Sequence, residues 1–202
     1  MESMHLDYYG KKMDEQKIWD NIEPCVLEHV SGFQDNKSKL IKGDNLRIMR
    51  YLIEQTNLKE KIDLVYIDPP FSTKNIFRMS KQKANTISRS NSDSIAYADS
   101  LIGSEYLEFL RERLILIKKL LSKNGSIYVH IDFKIGHYVK IIMDEVFGRE
   151  NFINDITRIK CNPKNFKRKA YSNIKDLILF YSKTNEYIWH EPKKELSEEE
   201  IE

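Results

Sequence analysis

The sequence predicts an α/β fold with a mostly parallel sheet and flanking helices, on three observations. Apolar runs of strand length, rich in β-branched residues, stand at residues 62–67 (IDLVYI), 126–131 (SIYVHI) and 176–182 (DLILFYS). Between them lie segments of helical spacing, with Leu107, Leu110, Leu114, Ile117 and Leu121 forming one stripe over 104–122. The runs are continuous rather than alternating, as expected of parallel strands covered on both faces and joined by right-handed crossovers.

The remaining elements follow in chain order. Residues 1–37 read as a polar, irregular extension with a short helix from Glu15 that stops before Pro24. SKLIK, 38–42, reads as a short strand ending at Gly43-Asp44-Asn45. Leu46, Met49 and Ile53 then give an amphipathic helix over 45–56. Residues 72–100 are rich in Ser, Asn, Lys and Thr and lack apolar periodicity, which predicts a long loop. Ser104 can cap the helix of 104–122, and Asn124-Gly125 ends it. A helix over 134–147 closed by Gly148 and strands over 152–159 and 176–182 complete the pattern, and 197–202 begin a further helix.

Composition bounds the function. A chain of 202 residues suits one domain with a core of its own. No apolar run approaches the roughly 20 residues that cross a bilayer, and residues 1–16 lack the apolar core of a secretory signal, so the expectation is a cytoplasmic protein without membrane partners. Cys25 and Cys161 have no Cys or His at ligand spacing, which predicts reduced thiols and no metal. Net charge is only +2, but residues 160–175 hold six Lys/Arg and no acid. Lys160, Lys164, Lys167, Arg168 and Lys169, interleaved with Asn162, Phe166 and Tyr171, suit backbone phosphates better than an idle solvated face.

In sheets of this kind ligands bind beyond the carboxyl ends of the strands. Asp68 and Asp132 stand at two such ends, and Asp44 follows a third. Asp68 opens Asp68-Pro69-Pro70-Phe71. Proline fixes its own φ, lacks a donor, and pushes the preceding residue to extended geometry. The segment is therefore stiff and offers only acceptors. Such a site suits a ligand made of donors, such as an amine on an aromatic base: one N–H for the Asp68 carboxylate, one for the Pro69 carbonyl, and Phe71 as a stacking surface. Two acceptors that hold both hydrogens also favour a pyramidal nitrogen with a localised lone pair, which makes it a nucleophile. Its catalysis would rest on positioning and electrostatics.

These residues resemble the amino-group DNA methyltransferases in their permuted, β-type order, whose catalytic motif is (D/N/S)PP(Y/F). KLIKGDNLRIMRYL before the motif, and YADS, YLEFLRERLILIKKLLSKNGSIYVHID, IIMDEVFGRENFIND and NIKDLILFYSK after it, are also similar to the family, from about residue 38 to the end. The resemblance is densest with adenine-modifying subunits of restriction–modification systems. It implies an incomplete Rossmann-like S-adenosylmethionine-dependent core, with S-adenosylmethionine as cofactor, double-stranded DNA as substrate and N6-methyladenine as product. It also implies a flipped target base and a loop 72–100 that closes over it. By the same resemblance Asp68, Pro69, Pro70 and Phe71 are catalytic, and Asp44 and Asp68 face the cofactor.

The family's Gly-x-Gly cofactor loop has no counterpart, since none of the seven glycines forms such a pair. The expectation is an N-terminal portion of a longer enzyme, weak or inactive alone. It divides into an extension (1–37), a catalytic half (38–160), and a segment (161–202) with the basic stretch, the last strand and the start of a helix. Partners would be DNA and either the missing C-terminal half or a restriction subunit. The alternative is a catalytically silent DNA-binding half that completes another chain; an RNA or protein methyltransferase is a third reading. Asp132 is open to two readings, pocket wall or helix N-cap, and Tyr97 and Asp99 to two, loop closure or an ordinary turn. His130 is expected in packing, His137 on a solvated helix face, and Glu198, Glu199 and Glu200 in a first helical turn.

Overall fold

The computed structural model describes residues 5–31, 38–70, 103–160, 169, 171 and 174–193, and the backbone alone of strands within 76–98. Asp14 caps α1 (Glu15–Asn21), accepting from Gln16 N. Asp44 caps α2 (Asn45–Gln55), its side chain accepting from Leu46 N and Arg47 N. β1 (Ile62–Ile67) follows. Then come β2 (Ile76–Met79), β3 (Ile87–Ser88) and β4 (Ser94–Ala98), a small antiparallel sheet in the order β3-β2-β4 where a loop was expected. The long helix α3 (Ser104–Leu120) leads into β5 (Leu121–Ile131). α4 (Gly136–Phe147), β6 (Phe152–Ile159) and β7 (Lys175–Ser182) complete the fold.

The main sheet runs β1-β5-β7-β6. β1 and β5 are parallel, whereas β7 is antiparallel to both β5 and β6. The sheet is therefore mixed rather than mostly parallel, which corrects the expectation. β7 lies between β5 and β6 and runs antiparallel to both. One consequence is that the N-terminal end of β7 meets the C-terminal ends of β1, β5 and β6 at a single edge.

Two boundary expectations also fail, for identifiable reasons. SKLIK is not a strand. The second failure is at the end of α3: it stops at Leu120, and Leu121 through Gly125 already belong to β5. There the ladder is irregular: Ile62 pairs with Leu121 but Leu64 pairs with Ser126, so the intervening residues of β5 loop out as a bulge. Gly125 sits in the bulge, where an added Cβ would lie 2.8 Å from the Ile62 carbonyl oxygen. Its glycine thus serves close approach of two strands, not a helix end. The N-cap of α3 is Gly103, at φ 58°, and Ser104 is already inside the helix.

The core lies between one face of the sheet and the pair α3–α4. Val65, Ile67, Ile127, Val129, Ile131, Leu179 and Tyr181 face Leu107, Leu110 and Leu114 of α3 and Val139, Ile142 and Met143 of α4. The N-terminal extension is not irregular padding: Ile18 and Ile22 are buried in this core, and Leu6 and Tyr8 pack against it. On the opposite face, Tyr66, Tyr128 and Phe180 stand in register across β1, β5 and β7. Tyr128 stacks on Phe180 at 4.2 Å, and Trp189 stacks on Phe180 from the segment after β7. Leu64 and Tyr66 on β1, a strand at the sheet's edge, are 61% and 57% exposed.

Candidate active site

Alternation along the strands decides which side chains share the uncovered face. In β5, Ile127, Val129 and Ile131 point to the core, so Tyr128 and His130 point away from it. The same parity in β1 carries Tyr66 and then Asp68 to that face. In β7 it carries Phe180, Ile178 and Asp176, and in β6 Arg158, which pairs with Asp176. Four charged or titratable residues from four strands thereby converge on one end of the sheet.

Their contacts form a chain. Asp68 Oδ1 lies 3.2 Å from His130 Nδ1, and His130 Nε2 lies 3.5 Å from Asp176 Oδ2. Asp176 is buried, and its two oxygens meet Arg158 Nη1 at 3.2 Å and Lys160 Nζ at 2.5 Å. A buried carboxylate is tolerated when cations neutralise it, as these do. The Asp68 side chain is 55% exposed, whereas that of His130 is only 9% exposed. The open carboxylate of the group therefore belongs to Asp68, with Pro69 and Pro70 half-buried directly after it.

Asp44 does different work. Its Oδ1 accepts from Leu46 N at 2.9 Å and Arg47 N at 3.1 Å, while Oδ2 lies 3.7 Å from Arg113 Nη2. Arg113 also donates to Asn45 Oδ1 at 2.7 Å and stacks over Phe109. Burial lowers the Arg113 pKa, and the Asp44 charge opposes that shift. Beside Asp44 opens a cavity of about 530 Å³, lined by Val26, Leu27, Lys42, Gly43, Arg47 and Ile48 among others. Apolar groups and charged groups both border it.

Of the other residues singled out in the sequence, Asp132 shapes the turn into α4. Its Oδ1 accepts from Lys134 N at 2.8 Å and its carbonyl from Ile135 N and Gly136 N, although the N-cap itself is Ile135. His137 is exposed and Cys25 is a free thiol. Lys160 is held by Asp176, and Lys169 is exposed. Phe71, Asp99, Cys161, Lys164, Lys167, Arg168, Glu198, Glu199, Glu200 and the Tyr97 side chain lie outside the described residues. His130, expected in packing, is buried at 7% exposure, and Asp176 carries no signal in the sequence that would place it beside His130. The alternation of SIYVHI already separated His130 from the core residues, but only the reversal of β7 brings Asp176 to it.

Similarity to known proteins spans most of the chain. A family model described as DNA methylase matches residues 62–202. The type II methyltransferase M.EcaI of Enterobacter cloacae is 39% identical over 195 residues, covering 94% of this chain and 40% of that protein. The Mod subunit of the type III restriction-modification enzyme StyLTI of Salmonella typhimurium is 31% identical, covering 88% of this chain and 29% of that protein. The chain thus spans well under half the length of these curated relatives. Among solved structures, the M1.HpyAVI–SAM complex aligns over 76% of this chain and 59% of that one, with a TM-score of 0.46 and 17% identity.

Proposed function

This chain belongs to the N6/N4 DNA methylase family, and from that premise we propose that it carries the target-base half of a restriction–modification methyltransferase acting on adenine N6 in duplex DNA. The observation that supports the reading is the Asp68 carboxylate: exposed, at the carboxyl end of β1, and followed directly by two prolines. An aspartate at this motif position favours adenine over cytosine N4.

In this reading Asp68 accepts one hydrogen of the extruded base's amine, and the Pro69 carbonyl accepts the other. Phe71 stacks on the ring. Both acceptors pull the nitrogen's hydrogens out of the ring plane, so its lone pair leaves conjugation and becomes nucleophilic. The methylated amine then sheds a proton readily, so little general-base work falls on the protein. S-adenosylmethionine is the family's methyl donor and supplies, when bound, an electrophilic methyl group. The cavity beside Asp44 suits the adenosine end of that cofactor, with Val26, Leu27 and Ile48 against a ring and Asp44 for polar contacts. Nothing in the sequence resembles a Gly-x-Gly loop for the methionine end, so transfer would draw on residues outside this chain. Lys160, Lys164, Lys167, Arg168 and Lys169 are read as phosphate contacts.

The test is transfer of labelled methyl groups to unmethylated duplex DNA, followed by nucleoside chromatography. The full-length protein should yield N6-methyladenine, and Asp68→Ala should abolish transfer while DNA binding persists. Labelled N4-methylcytosine would overturn the base assignment, and an active Asp68→Ala protein would overturn the role of Asp68.

A further inference from the structure

We propose that His130 is a positioning residue for the Asp68 carboxylate, with buried Asp176 fixing the His130 ring; the proposal rests on the reading of Asp68 given above. Asp68 ends a strand at the sheet's edge and its side chain is more than half exposed. Left to itself, such a carboxylate samples several rotamers. A group that must meet an amine hydrogen in one direction gains from being held.

His130 is built to hold it. Its ring is nearly buried, and each of its nitrogens faces a carboxylate oxygen, a group that only accepts. Nδ1 lies 3.2 Å from Asp68 Oδ1, a distance from which a protonated nitrogen can donate to it. This contact occupies one Asp68 oxygen and leaves Oδ2 to the ligand. Asp176 cannot drift from the other edge of the ring. Arg158 and Lys160, adjacent in alternation on β6, grip its two oxygens. The order from surface to interior is thus carboxylate, imidazole, carboxylate, paired cations. A purely architectural role, closing the sheet end with polar contacts, would not require the imidazole to reach the one exposed carboxylate of the cluster.

The test compares four variants of the full-length protein: Asp68→Ala, His130→Phe, His130→Asn and Asp176→Asn. Single-turnover methyl transfer is measured at saturating DNA and S-adenosylmethionine, beside DNA affinity. Losing a hydrogen bond to a charged group should slow transfer roughly ten- to a hundredfold in His130→Phe, with DNA affinity within about threefold. His130→Asn, whose amide nitrogen takes the place of Nδ1, should recover part of the rate. Asp176→Asn should fall between. A wild-type rate in His130→Phe beside an inactive Asp68→Ala overturns the positioning role alone. An active Asp68→Ala overturns the underlying reading of Asp68. Should His130→Phe not fold, nitrogen-15 spectra of the imidazoles decide the matter. A His130 Nδ1–H resonance that moves on Asp68→Ala supports the contact, and an unmoved one overturns it.

Discussion

Lys11 and Glu145, 134 positions apart, form an ion pair of 2.9 Å in which both side chains are more than nine-tenths buried. The pair ties the N-terminal segment to α4. Around it Tyr8 donates to Glu108 at 2.6 Å, Arg111 donates to the Lys12 carbonyl at 2.9 Å, and Leu6 N donates to Glu145. Buried pairs of this kind cost heavily when one partner is lost, because the other charge stays buried. Lys11→Met is therefore expected to destabilise the protein by about 3 kcal/mol in a denaturant titration. Lys11→Met combined with Glu145→Leu should recover only part of that loss, since Glu145 also lies 4.0 Å from buried Arg111, which then keeps Glu108 as its carboxylate.

Alkaline titration should reveal the buried tyrosines. Burial, and then a hydrogen bond to Asp144 at 2.7 Å, push the Tyr181 pKa far above its ordinary value of 10.0. Burial and the Glu108 contact do the same for Tyr8. In the unfolded chain both phenols ionise near pH 10, while in the fold they keep their protons. The folded state then binds more protons, so stability falls as pH rises above 10 and is unaffected below it. The expected slope is about 1.4 kcal/mol per pH unit for each tyrosine. Tyr181→Phe should make the alkaline limb shallower by one such increment, as read from urea midpoints between pH 9 and pH 11.

Gly125 sets how closely β5 approaches β1. A methyl group there would meet the Ile62 carbonyl, Leu121 Cδ2 and Ser122 N, all within 3.2 Å. Backbone atoms cannot step aside as a side chain end can. Gly125→Ala should cost about 1–3 kcal/mol of stability and, by shifting β1, reduce methyl transfer as well. A thermal melt together with the transfer assay checks both effects.

Asp44 allows its two roles to be separated. Asparagine is as good an N-cap as aspartate, whereas alanine forfeits about 1 kcal/mol. Asp44→Asn keeps the cap but removes the charge beside Arg113, so it should lower the melting temperature less than Asp44→Ala does and still weaken S-adenosylmethionine binding in calorimetry. Asp44→Ala should lower both. Equal cofactor affinity in wild type and Asp44→Asn would confine Asp44 to capping α2.

Local chemistry makes much of this molecule legible in the sequence. Helical spacing locates α2 and α4 to within a few residues, and continuous apolar runs locate β1 and β7. Asp-Pro-Pro singles out Asp68 by itself, because prolines and a carboxylate announce their geometry locally. Helix ends are less legible: Leu121 extends the apolar stripe of α3, yet ladder pairing with Ile62 claims it for β5.

What the sequence determined alone is therefore the α/β class of the fold and the order of α2, β1, α3, β5, α4, β6 and β7, and it is the sequence that points to Asp68. The tertiary structure decided the direction of β7 and, through it, the company that Asp68 keeps. His130 and Asp176 are 46 residues apart, and neither carries a local signal of its partner. Their meeting depends on a strand that reverses and slots beside β5, a choice made by long-range pairing and burial. Short-range patterns report what a segment prefers to be; which side chains face one another is fixed only when the strands are laid side by side.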